Sequence, residues 1–150
     1  MTRPPQSEAT VVAIAPAEVK PAAPHDLFAS QPAAGFPAPG DDLVEAPLDL
    51  NDLLIDNPTA TFFVRVSGDS MEGAKIFAGD VLVVDRSRAP VDGSIVVAAV
   101  YGELVVKRVR KTKAGIALMS EQVGYEPIEI GESEEVFVWG VVIGSARTLD

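Results

Sequence analysis

The chain has 150 residues, 47% of them hydrophobic, with a formal net charge of −10 and no cysteine. That length favours one domain, or one domain with a tail. The missing cysteines exclude disulfides and thiolate metal centres. The acidity argues against a sequence-independent grip on nucleic acid, which needs basic surface to displace counterions. The single histidine, His25, stands among prolines and cannot alone build a histidine metal site. No apolar run approaches the roughly 20 residues of a membrane span, and nothing in the sequence asks for a cofactor or metal.

Residues 1–40 read as a flexible arm. Eight of the twelve prolines fall there, interleaved with alanines. Proline removes a backbone donor and blocks helix, so this composition is expected to sustain no packed element. Thr10–Ala15 is short for a signal-peptide core and Pro16 ends it, which makes the cytoplasm the expected location. Asp26-Leu27-Phe28 is the one compact apolar spot of the arm. It fits a local contact against the domain, or a docking peptide.

Residues 41–150 read as a β-rich domain. A short helix is expected over Asp49–Ile55, with Asp49 as its cap and Asp52 in the first turn, where the helix dipole favours negative charge. Asn57-Pro58 stops it. From Thr61 the pattern is β. Expected strands cover 61–66, 81–85, 95–100, 103–110, 115–119 and 136–143, separated by Gly/Asp turns, with 95–100 and 103–110 close enough for a hairpin. Such an order indicates an all-β sandwich or partly closed barrel. Valines on both faces of several strands imply burial on both sides. The apolar run Val136–Ile143 is either an inner strand or a self-complementary dimer contact.

Chemistry enters at Ser67-Gly68-Asp69-Ser70-Met71. The strand breaks at Gly68, because glycine supplies backbone angles other residues avoid. Ser70 is then expected to sit exposed at the end of an element with free backbone N–H groups beside it, which is the geometry of an acyl-transfer nucleophile. In Glu103–Arg110, strand alternation puts Lys107 on one face with Val105 and Val109, and Arg108 and Arg110 on the other with Val106. Lys107 then either snorkels along an edge strand with its ammonium in water or points into apolar surroundings. There, desolvation would disfavour its charged form, and a neutral amine can take the proton of a serine hydroxyl without any histidine. Asp80, Asp85 and Asp92 read as turn residues and solvated charge. The basic cluster Lys107, Arg108, Arg110, Lys111 and Lys113 reads as a solvated hairpin end.

Three blocks, Ser67–Met71, Ala78-Gly79-Asp80-Val81-Leu82 and Val105-Val106-Lys107-Arg108, together resemble the LexA/UmuD self-cleaving serine peptidases, and the spacing from serine to lysine is similar. Ala34-Gly35-Phe36-Pro37-Ala38-Pro39 resembles the cleavage region of the UmuD-type members, and Asp49-Leu50-Asn51 with Leu53-Leu54-Ile55 is similar to a later stretch of the same members. The likeness spans Leu27 to the C-terminus. It implies Ser70 as nucleophile, Lys107 as general base, the backbone N–H groups of Asp69 and Ser70 as oxyanion hole, and Ala34-Gly35 as the scissile bond. It implies the mostly-β fold of that family and a homodimer. It also implies self-cleavage stimulated by a RecA filament on single-stranded DNA, and a cleaved form that joins a UmuC-type Y-family polymerase in mutagenic DNA-damage bypass during the SOS response. Leu27 and Phe28 coincide with an arm segment implicated in docking to the replication sliding clamp. No helix-turn-helix precedes the arm, which disfavours a repressor.

The sequence departs from the UmuD-type pattern at Ala34, where cysteine is typical, and at Pro32, which lacks the donor an extended substrate strand would offer. Cleavage is therefore expected to be slow, or its register slightly shifted. Two other readings remain open: a signal-peptidase-like serine protease, which would need a membrane anchor, and a non-catalytic polymerase accessory with a vestigial serine-lysine pair.

Overall fold

Alternating burial organises the chain from residue 61 onward. A computed structural model describes residues 7–18, 25–28, 44–131 and 134–150. The strands are β1 (Thr10–Pro16), β2 (His25–Phe28), β3 (Val44–Leu48), β4 (Thr61–Ser67), β5 (Val81–Asp85), β6 (Ile95–Val100), β7 (Glu103–Thr112), β8 (Gly115–Met119), β9 (Ile128–Ile130) and β10 (Val136–Ala146). One short helix, α1 (Leu50–Leu54), precedes β4. Asp49 caps it by accepting from the Asn51 N–H at 2.9 Å, as its place before an apolar run predicts.

Eight strands form one antiparallel sheet in the order β1-β4-β5-β10-β6-β7-β8-β9, and a single pair, Thr10 with Val105, also joins β1 to β7. The sheet is thus partly closed, as expected of a mostly-β fold. Its curvature comes from β10, whose register with β6 shifts at Val138/Gly140 and with β5 at Val142/Gly144. An extra residue of this kind bends the strand that carries it. The run Val136–Ile143 is therefore an inner strand, the first of its two expected placements.

Because side chains alternate, one strand serves two cores. Val97 and Val106 belong to a cluster with Val64, Leu82 and Met71. Val96, Ala98, Val105 and Val109 pack on the other side with Leu118. This is the physical meaning of valines on both faces.

Two expectations need correction. The proline and alanine content of residues 1–40 does not prevent a packed element at 10–16, because these residues hold a proline only at their end and borrow a partner: β1 pairs along β4 from Thr10 opposite Ser67 to Pro16 opposite Phe62. Asp80 precedes β5 and Asp85 ends it, and both are buried rather than solvated turn residues. Asp80 accepts from the Phe77 N–H, and Asp85 from the Ser87 N–H and hydroxyl. A buried carboxylate needs such donors.

β2 and β3 form a separate antiparallel pair, with Phe28 opposite Val44. Leu27 and Phe28 are thus strand residues of β2. Pro32, Ala34 and Gly35 lie between β2 and β3, outside the described residues.

Candidate active site

β4 delivers the chain to the site and Gly68 turns it. Gly68 has φ +91°, in the region glycine favours, and its missing side chain leaves room for another backbone: a Cβ there would lie 2.0 Å from the Glu8 carbonyl oxygen. Ser70 follows and, contrary to the expected exposed serine with free N–H groups, is fully buried, because Ser7 and Ala9 lie against it. It is held from below by Met71, itself fully buried in the core, whose carbonyl accepts from the N–H groups of Ala74 and Ile76. The turn that carries the hydroxyl is therefore anchored by the residue next to it.

The N–H groups of Asp69 and Ser70 point the same way. Both donate to one acceptor, the Ser7 carbonyl, at 2.9 and 3.1 Å. The Ser70 hydroxyl oxygen accepts from the Ala9 N–H at 2.8 Å. Two convergent donors beside a serine oxygen form a pocket for a peptide carbonyl or for the oxyanion derived from it.

Lys107 comes from the middle of β7 and is 2% exposed, so it does not snorkel into water, but its amine meets polar partners rather than the apolar surroundings of the other expected placement. Its Nζ donates to the Ser120 hydroxyl at 2.7 Å and lies 2.5 Å from Glu8 Oε1. The amine and the Ser70 hydroxyl do not hydrogen-bond to each other. They are engaged instead by consecutive residues of one segment, Glu8 and Ala9. The structure thus brings Asp69, Ser70 and Lys107 to one groove with the chain's own N-terminal segment lying in it. Of the basic cluster around Lys107, Arg110, Lys111 and Lys113 are exposed, while Arg108 pairs with Glu121 and donates to the Gly93 carbonyl.

The segment Ser120–Tyr125 after β8 closes one side. The Glu121 N–H donates to the Ser70 carbonyl at 2.9 Å, and Gln122 Nε2 to the Asp69 carbonyl at 3.2 Å. The Tyr125 ring centroid is 5.4 Å from Lys107 Nζ, a cation–π distance. Its hydroxyl is buried with no protein hydrogen-bond partner among the described residues. Burial, and then the nearby carboxylates of Asp69 and Glu8, push that phenol above its ordinary value.

Sequence reasoning missed Ser120, Tyr125 and the segment Ser7–Ala9. Ser120 had a readable signal. The β7–β8 register runs from Thr112 opposite Gly115 to Arg108 opposite Met119, and its next step puts Ser120 opposite Lys107. A loop taken as Lys111–Ala114 hides that register, whereas a tight turn at Lys113-Ala114 reveals it. Glu8 and Ala9 had no local signal, because the contact spans about sixty residues of sequence.

Among the described residues no group of histidine, aspartate and glutamate side chains could hold a metal ion, and no helix is long and apolar enough to cross a membrane.

Residues 26–143 match the model of a family described as Peptidase S24-like. The chain is 43% identical over 116 residues to protein SamA of Salmonella typhimurium, covering 77% of this chain and 80% of that protein. It is 42% identical over 113 residues to protein MucA of Escherichia coli, covering 75% and 77%. A LexA repressor of Hahella chejuensis is 35% identical over 118 residues, covering 78% of this chain and 58% of the repressor.

Proposed function

Starting from the chain's membership of the Peptidase S24-like family, which agrees with the LexA/UmuD resemblance of its sequence, we propose that it is a UmuD-type self-cleaving serine peptidase. Ser70 is the nucleophile, Lys107 the general base, and the N–H groups of Asp69 and Ser70 the oxyanion hole. The bond cut is Ala34-Gly35. One observation carries the reading: a peptide carbonyl, that of Ser7, sits between the two N–H donors while the Ser70 oxygen engages the same segment. A backbone carbonyl held by both donors beside the Ser70 oxygen supports this reading, because the same pair could hold the Ala34 carbonyl.

The chemistry follows from the groups. With Ala34-Gly35 in the groove, uncharged Lys107 removes the Ser70 hydroxyl proton as Oγ attacks the Ala34 carbonyl carbon. The oxyanion gathers on the donors of Asp69 and Ser70. Collapse breaks the bond to Gly35, whose nitrogen takes the proton from Lys107. Water, activated by the same amine, then releases Ala34 from Ser70. With β1 held in the sheet, the stretch of about 18 residues from Pro16 to Ala34 can span at most roughly 60 Å, which lets the bond approach its own groove or a partner's. Tethering raises the effective concentration of one bond, so a weak peptidase can still act on itself.

The same resemblance supplies the setting: a homodimer in the cytoplasm, triggered by a RecA filament on single-stranded DNA. The product 35–150 would serve a UmuC-type Y-family polymerase in SOS mutagenesis and translesion synthesis, and in the uncleaved chain Leu27 and Phe28 would be a sliding-clamp contact.

The purified chain held at alkaline pH tests the peptidase. A fragment beginning at Gly35 should accumulate, faster as pH rises because only the uncharged amine takes a proton, and should be absent from Ser70→Ala and Lys107→Ala. One observation favours the accessory reading, namely that Lys107 is tied to Glu8 and Ser120 rather than to Ser70. A band that stays intact throughout, even with activated RecA filament, would decide for it.

A further inference from the structure

The segment before β1 occupies the groove more fully than a passing contact would. Ser7 places its carbonyl on the Asp69 and Ser70 N–H groups and donates its own N–H to Asp69 Oδ1 at 2.9 Å. Ala9 donates to Ser70 Oγ and accepts from the Val106 N–H at 2.9 Å, with its side chain buried in the core. Between them the Glu8 backbone crosses Gly68, at a distance where only glycine leaves room. The Glu8 carboxylate reaches Lys107. From Thr10 the chain continues directly into the β1–β4 ladder.

We infer that residues 7–9 are a built-in inhibitor of the groove, with Glu8 as the group that disarms Lys107. The inference rests on the peptidase reading above and adds its regulation. Two physical facts compel competition. One pair of N–H donors holds one substrate carbonyl, so the Ala34 carbonyl cannot enter while that of Ser7 is in place. An ion pair with Glu8 requires the ammonium form of Lys107, whereas a general base must be the amine, and one nitrogen cannot be both. The segment fills the donor pair that a substrate carbonyl would need, and it carries a carboxylate against the base that would have to act. Cleavage of the arm therefore begins with withdrawal of residues 7–9. An external trigger would work by favouring the withdrawn state, since it shifts the balance only as far as it binds that state better. A site blocked nine-tenths of the time reacts about tenfold more slowly than a free one.

The test uses full-length chains carrying Glu8→Lys, which sets like charges face to face, or Glu8→Gln, which keeps the shape without the charge. The Gly35 fragment should appear about tenfold faster in Glu8→Lys than in the parent chain, with Glu8→Gln between them. Docking is read separately, without cleavage, by amide hydrogen exchange at Asp69, Ser70 and Val106 in the Ser70→Ala chain. Exchange there should be slow, and faster by at least about tenfold once Glu8→Lys is added. Unaltered exchange would overturn the role of Glu8 in holding the segment. Faster exchange with an unchanged or lower cleavage rate in both Glu8 variants would overturn the inhibitor while leaving the peptidase standing. No Gly35 fragment from any chain would sink the peptidase reading, and the inhibitor with it.

Discussion

At the scale of single residues, the environment of Tyr125 makes a prediction of its own. Its hydroxyl is held above the ordinary value of 10.0 by burial and by the carboxylates of Asp69 and Glu8. As pH climbs past that value, the unfolded chain ionises this phenol while the folded chain keeps it neutral. The native state then binds more protons than the unfolded state, so stability falls with rising pH across that window. Below it the group contributes no pH dependence. Urea titrations of the parent and Tyr125→Phe at neutral pH and above pH 10.0 should show a steeper alkaline loss in the parent. Equal slopes would mean that the phenol is not held by its surroundings. Ser70 and Lys107 lie at the same scale, and their residue types were legible because a chain with a single histidine, placed in the arm, leaves a lysine as the available base. That Lys107 would be buried followed from strand parity only as one of two placements. Packing of β7 on both sides, with Val106 in one core and Val105 and Val109 in the other, decided between them.

At the scale of elements, the site depends on how closely two loops approach. Gly73, in the turn Glu72–Ala74 after Ser70, faces the loop after β8. A Cβ there would come within 2.3 Å of the Glu121 carbonyl oxygen, which is backbone and cannot swing aside. Gly73→Ala should therefore push the segment Ser120–Tyr125 away, at a cost of about 1–3 kcal/mol. It should also break the Glu121 N–H bond to the Ser70 carbonyl. Chemical denaturation checks the first effect, and slower accumulation of the Gly35 fragment the second. Unchanged stability would show that the loop yields without strain. Strands and their turns were readable here because period-two burial and Gly/Asp breaks are local signals. β1 was not, because its six pairs with β4 come from residues far away in sequence, and a proline-rich context concealed it.

At the scale of the whole molecule, β1 lies on the N-terminal side of Ala34-Gly35 while its partner β4 lies on the other. Scission would thus leave residues 1–34 joined by non-covalent contacts alone: β1 along β4, β2 along β3 and the Ser7–Ala9 segment in the groove. Val12 and Ile14 are about half exposed, so β1 contributes little apolar burial of its own. Loss of the tether removes the high effective concentration that keeps so short a strand in place. After alkaline cleavage, residues 1–34 should separate from 35–150 on native gel filtration, exposing the β4 edge and carrying the Glu8 segment away from the groove. Co-elution of the two fragments would show that β1 binds without covalent help. Nucleic acid should not hold either piece by charge alone, given the net charge of −10.

The amino-acid order alone determined a mostly-β domain, a capped short helix, a serine placed just after a glycine break and a lysine on a valine face. Each of these is encoded by neighbours within a few positions, through strand alternation, turn chemistry and capping. Only the tertiary structure decided that the sheet draws in residues 10–16 and that Ser7–Ala9 lie across the serine. Those contacts join positions tens of residues apart, and such a meeting is set by how strands pair and curve, which no local pattern records.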